Sequence, residues 1–170
     1  GAAGGPRSAG APTANAGLDQ WVPVNGPGSV GTQLNGSVTN AGTAVINWKL
    51  YSGPAAVNFG NATQAATTAT FAVPGTYTLM LSAADGIHAV AYDAVVINVT
   101  LTPTQTRSGN DMVITFPSSS GHHYRVENSA DLKSWNTLAN NLAGTGANLV
   151  VTHTGAFGNA QQFYRVVVVD

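Results

Sequence analysis

The ionisable side chains that could do chemistry are few: Asp19, Asp85, Asp93, Asp111, Glu127, Asp131, Asp170 and the histidines His88, His122, His123 and His153. Hydrolysis of a glycosidic bond needs two carboxylates facing one bond. No acidic pair here stands at a spacing that suggests it. Asp85 and Asp93 flank one loop, but Asp85 suits an Asp85-Gly86 turn. His122 and His123 are adjacent on an expected strand and so point to opposite faces. To share a zinc ion with His88 or His153 they need a kink. No H-E-x-x-H, G-x-S-x-G or Walker pattern occurs, and Ser118-Ser119-Ser120-Gly121 lacks the lysine of a phosphate loop. With no cysteine in the chain, disulfides, thiolate metal sites and cysteine nucleophiles are excluded. The reading is therefore no catalytic residue, no cofactor and no metal.

Exposed aromatic rings could stack on sugars. Trp21, Tyr51 and Tyr92 are the candidates for glycan contact. Trp21 is out of phase with Leu18, Val22 and Val24, which turns it outward. Trp135 reads as packing. Two lysines and four arginines against seven acids give a net charge of −1. A nucleic-acid partner needs a concentrated cationic face, and none is visible. No stretch approaches the roughly 18 apolar residues of a membrane span. No charged-then-apolar leader opens the chain, so an exported protein would have lost it or carry it elsewhere. Asn35, Asn61 and Asn98 begin glycosylation sequons, a number that chance accounts for in a chain this rich in Asn, Ser and Thr.

These side chains must be positioned by strands. Thr43–Tyr51 alternates Ala44, Ile46, Trp48 and Leu50 against Val45, Asn47, Lys49 and Tyr51. Gly75–Ala83 alternates Tyr77, Leu79, Leu81 and Ala83 against Thr76, Thr78, Met80 and Ser82. A third run ends in Val95, Ile97 and Val99. A period of two means half-buried strands. Val30, Thr32 and Leu34 add another, with turns at Asn35-Gly36 and residues 40–43. Shorter strands are expected around 57–59 and 69–72, and Asp85-Gly86 reads as a hairpin turn. Charged residues are 8% of the chain, about a third of the usual share. Short neutral polar groups replace them, so charge repulsion opposes close association only weakly.

The segments NAGLDQWV (15–22), INWKLYSGPAAVNF (46–59), ATFAVPGTYTLMLSAADG (69–86) and AVVINVT (94–100) together resemble a PKD-type domain, an immunoglobulin-like β-sandwich of extracellular proteins. The W-x-x-x-SGP and GTYTLxL-x-x-xDG elements carry most of the likeness. The resemblance implies Trp48 at the core centre and Tyr77 at a tyrosine corner. Many members carry an acidic loop after the second strand. Asn35–Asn40 stands there instead and offers no carboxylate to calcium.

Residues 101–170 form a second unit, with strands expected at 111–116, 122–129, 135–138, 148–153 and 162–169. ITFPSSSGHHYRVENSADLKSWNTL (114–138) and QFYRVVVV (162–169) resemble a short β-module at the ends of large secreted bacterial proteins. Arg125 and Glu127 share a strand face, with Arg165 as a cross-strand neighbour in a surface charge ladder. The last strand is apolar on both faces: Phe163, Val167 and Val169 on one, Tyr164, Val166 and Val168 on the other. Such a strand calls for cover on both sides.

The fold expected is all-β: two consecutive immunoglobulin-like or fibronectin-like sandwiches, residues 12–100 and 101–170, after an extended Gly/Ala-rich segment, residues 1–11. Its partners are expected to be other protein copies or neighbouring modules of one surface protein, with glycan as the alternative. Assembly contacts are expected at Pro6, Arg7, Phe163, Val167 and Val169.

Overall fold

Alternation makes a sandwich because each strand has one apolar side to bury and a second sheet is the readiest cover. The computed structural model describes residues 10–158 and 161–169. These divide into two compact units: the described residues up to Val22 with Val30–Val99, and Pro23–Ser29 with the chain from Thr100 onward.

The first unit is built from β1 (Thr13–Asn15), β2 (Gln20–Val24) as far as Val22, β3 (Val30–Asn35), β4 (Ser37–Thr39), β5 (Val45–Ser52), β6 (Val57–Phe59), β7 (Ala66–Phe71), β8 (Gly75–Ala84) and β9 (Ala91–Leu101) as far as Val99. One sheet has the order β2-β9-β8-β5, a second β3-β7-β6, and β1 pairs with β4. The inward sides of β5, β8 and β9 bury Trp48, Tyr77, Leu79, Leu81, Val95 and Ile97; Leu34, Ala69 and Phe71 answer from the second sheet. Rings meet between the sheets, Trp48 with Phe59 at 6.4 Å and Phe71 with Tyr77 at 4.7 Å. Each buried polar tip has a partner. Trp48 Nε1 donates to the Ala65 carbonyl at 2.9 Å, and the Tyr77 hydroxyl to the Val73 carbonyl at 2.7 Å. The second bond reaches back along the chain, as in a tyrosine corner. Burial pushes the Tyr77 hydroxyl above its ordinary pKa.

Two turn expectations change. Gly36 is the point where the chain leaves the sheet of β3 for β4. A Cβ there would stand 2.5 Å from the Ala65 carbonyl oxygen and 2.7 Å from Trp48 Cζ2, so close approach, rather than turn conformation, calls for glycine. The β8–β9 connection runs from Asp85 to Val90, longer than a two-residue hairpin turn. Asp85 folds it by accepting from the backbone N–H groups of Ile87 and His88 at 3.0 and 2.8 Å.

The second unit contains β10 (Thr104–Ser108), β11 (Asp111–Pro117), β12 (His123–Ser129), β13 (Asn136–Ala143), β14 (Asn148–His153), a single 3-10 turn (Ala156–Gly158) and β15 (Phe163–Val168). Its sheets are β10-β11-β14 and β13-β12-β15. Ile114, Phe116, Tyr124, Val126 and Tyr164 form the core, with Val166 and Val168 packed against it. Phe116 and Tyr124 meet between the sheets at 5.6 Å. The hydroxyl of Tyr164 lies 2.9 Å from His153 Nδ1. β10 was not expected. Its Thr-Gln-Thr-Arg-Ser sequence is exposed throughout and has no apolar side to betray it; pairing with β11 makes it a strand.

Candidate functional site

The described carboxylates are tied to local partners. Asp19 accepts from the Val96 N–H at 2.8 Å and Asp93 from the Ala16 N–H at 2.7 Å. Asp111 holds the Gly155 N–H at 2.8 Å. Asp131 accepts from the N–H groups of Lys133 and Ser134, both at 2.8 Å, and these bonds hold its carboxyl below the ordinary value. Asp85 meets His88 Nδ1 at 2.6 Å. That bond, helped by the two backbone donors, lowers its pKa to about 2. Among the described residues, no three His, Asp or Glu side chains are grouped to hold a metal ion. Two surfaces stand out as candidate sites.

The first is the outward face of the sheet β2-β9-β8-β5. Registers β5–β8 and β8–β9 place Asn47, Ser82 and Tyr92 in one row and Lys49, Met80 and Ala94 in the next. Val45 and Ala84 begin the row above, and Thr76 and Asn98 share a hydrogen bond two rows further down. At the bulge ending β5, Tyr51 and Ser52 together oppose Thr78, so both lie on its outward side. The anchors Ala16 to Asp93 and Asp19 to Val96 run the entering chain along β9 in the same direction. Trp21 follows on β2, alternating with buried Val22 and Val24. All three glycan candidates thus share one face, with Trp21 71%, Tyr51 67% and Tyr92 57% exposed. Lys49 is its single charged side chain among these positions. Leu18, which the sequence phase grouped with the buried valines, is exposed.

The second surface belongs to the sheet β13-β12-β15. Register sets Glu127 of β12 opposite Arg165 of β15. Arg165 Nε lies 2.6 Å from Glu127 Oε2, and Arg125 Nε 2.7 Å from Oε1. The Arg165 guanidinium stacks over Trp135 at 4.1 Å. The expected ladder is present, with one difference: Glu127 is covered, only 6% exposed. Burial acts to raise its pKa, but the hydrogen bond from Arg165 and the charges of both arginines outweigh this and hold it below the ordinary value. Trp135 is thereby engaged in packing.

Beside this cluster β15 ends its sheet: among the described residues it pairs with β12 alone. The Val169 N–H donates to the His123 carbonyl at 2.9 Å, which fixes the parity of the ladder. Phe163, Arg165, Val167 and Val169 turn their backbone groups toward β12; Tyr164, Val166 and Val168 turn theirs to the free edge. The sequence pointed to the whole strand 162–169 as a contact by edge pairing; which of its residues face the edge is decided by register alone. Of the expected contact residues, Phe163, Val167 and Val169 are half-buried, and Pro6 and Arg7 lie outside the described residues.

Compared with known families, residues 16–99 match the K319L-like PKD domain. Residues 16–99 are a PKD-type, immunoglobulin-like domain. Among solved structures, the PKD domain from the KIAA 1837 protein is 24% identical, with a TM-score of 0.43; the match covers 59% of this chain and 92% of that one. DIP-gamma IG1+IG2 is 10% identical at a TM-score of 0.36, covering 92% and 95%. The adhesin InvE of Yersinia pseudotuberculosis is 15% identical at 0.30, covering 93% of this chain and 55% of its own. No curated protein matches the chain. The Tyr77 corner and the buried Trp48 lie inside the PKD domain, as does most of the exposed aromatic face. Among the described residues no helix is long and apolar enough to cross a membrane.

Proposed function

We propose that this chain is a non-catalytic structural or adhesive segment of an extracellular, cell-surface protein, made of modules 12–100 and 101–170. It works by contact with other copies or with neighbouring modules of the same protein. PKD and immunoglobulin-like domains generally mediate protein–protein or adhesive contact. The observation that carries the reading is the outward face of β2-β9-β8-β5. It presents Val45, Tyr92, Met80 and Trp21 among short neutral groups, with Lys49 as its charge. Removing such a face from water costs little desolvation of ions, and the cores of protein interfaces have this composition. Light scattering and negative-stain imaging over a concentration series test it. The expected result is association or ordered assembly, weakened by charges on the face.

A second reading, an accessory glycan-binding module, is favoured by the exposure of Trp21, Tyr51 and Tyr92 on one side. It predicts retention on insoluble cellulose, chitin or xylan. Retention that disappears in Trp21→Ala, Tyr51→Ala or Tyr92→Ala, with no self-association, would replace the first reading by the second.

A further inference from the structure

We infer that the free edge of β15 pairs with the same edge of a second copy, antiparallel about a two-fold axis at Val166, joining two sheets into one. The inference rests on the contact-module reading and names its partner and register. The edge offers the backbone N–H and C=O groups of Tyr164, Val166 and Val168, while their side chains lie in the core. Unpaired strand edges are templates for another strand, and proteins usually blunt them with lysine, proline, bulges or shortness. β15 has no lysine, proline or bulge, and its one charge, Arg165, is held by Glu127. It runs six residues in unbroken register with β12. β14 is another regular edge strand, but Asn148 and Thr152 make one of its sides polar. β15 is apolar on both sides apart from Arg165.

Self-complementarity selects the register. With Val166 opposite its own copy, Tyr164 faces Val168 of the second copy, and every edge group meets an edge group. On the outer side Arg165 faces Val167 and Phe163 faces Val169, so no like charges stand opposite. Sliding one way sets Arg165 against Arg165, which like-charge repulsion disfavours. Sliding the other way leaves Tyr164 beyond the partner's strand. A two-fold contact of this kind is closed and needs only one patch per copy.

Sedimentation velocity of the full chain over a concentration series tests this. The chain should form dimers. Val167→Lys puts an ammonium opposite Arg165 at both symmetric positions and should weaken dimerisation about threefold to thirtyfold. Val167→Glu should strengthen it at low salt. Val166→Pro removes an edge N–H that β12 does not use, a position where a strand tolerates proline, and should abolish dimers. A wild-type chain that stays monomeric at millimolar concentration overturns the inference. So does association that ignores both Val167 variants yet falls with Val45→Lys and Tyr92→Lys. That last outcome leaves the contact-module reading standing, whereas aromatic-dependent glycan retention without association removes it.

Discussion

In the PKD domain the edge strand β5 is guarded. The Trp48 N–H donates away from β8 to the Ala62 carbonyl at 2.8 Å, and Lys49 projects outward beside it. At the opposite edge β2 contains Pro23, and β6 closes the second sheet with three residues. In the second unit β15 has no proline, bulge or shortness to guard it, and its one charge, Arg165, is drawn to Glu127. The contrast extends to charge. The outward face of the PKD sheet has one lysine, whereas the β13-β12-β15 sheet gathers two arginines on a covered glutamate. One unit offers a broad side and guards its edges at β2, β5 and β6. The other fastens its outer side with ions and leaves an edge open. On the proposed reading, contact through side chains belongs to one module and contact through backbone to the other.

The cores differ as well, and truncating one ring in each gives the largest expected effect. Phe71 and Phe116 are both fully buried, so Phe→Ala costs each unit about 3–5 kcal/mol. The PKD core can absorb this, since it spreads over three long strands. The second unit centres on five buried residues with partly buried ones around them, and the single core of a unit of about 70 residues rarely supplies more than about 3–5 kcal/mol. Amide hydrogen exchange should show β11, β12 and β15 losing protection in Phe116→Ala. In Phe71→Ala, the amides of β5, β8 and β9 should remain protected, with a lowered unfolding midpoint. Equal loss in both variants would dissolve the contrast.

How far the sequence revealed this follows the strength of alternation. β5, β8 and β9 announce themselves because Trp48, Leu79, Leu81, Val95 and Ile97 all fall on one phase. The outward placement of Trp21 and Tyr92 follows from the same phase. β10 was invisible, since an exposed strand of Thr, Gln, Arg and Ser has no phase. Gly36 looked like a turn because its need for glycine comes from Trp48 and Ala65, residues distant in sequence. The neighbours of Glu127 could be named from strand phase, but its covering by Arg165 on Trp135 required the register. That Tyr164, Val166 and Val168 are the residues of strand 162–169 that face the edge was hidden for the same reason: a sequence shows where side chains alternate, and pairing alone shows where N–H groups point.

A smaller effect compares the two buried tyrosines. Tyr77→Phe leaves the Val73 carbonyl without its donor inside the core, a loss of about 1–2 kcal/mol. Tyr124 instead accepts from the Ser119 N–H at 2.8 Å. Ser119 is half-exposed, so water can replace the hydroxyl, and Tyr124→Phe should cost about 0.5–1 kcal/mol. Urea midpoints of the two variants, read by exchange at β8 and β12, measure the difference. A larger loss for Tyr124→Phe would mean that the second unit's polar contacts are the less replaceable ones.

The last comparison separates the two acidic anchors by pH. Glu127 and Asp85 both have folded pKa values below their ordinary ones, 4.5 and 3.8. The stability each contributes is therefore complete above that ordinary value and lost as the pH falls through the folded one. For Asp85 the loss runs from about 3.8 to about 2. Glu127→Gln should cost about 1–2 kcal/mol at neutral pH, and less at high salt because both arginines are partly exposed. The gap between wild type and variant should close on acidification below pH 4.5, since protonation removes the same charge. Asp85→Asn should act locally. Asp85 lies in an exposed loop and holds the N–H groups of Ile87 and His88, so faster exchange at those two amides is expected, with the global midpoint nearly unmoved. A Glu127→Gln gap that persists unchanged to pH 2 would mean that shape, rather than charge, holds β12 to β15. The second unit would then resemble the PKD domain in the respect in which they now differ most.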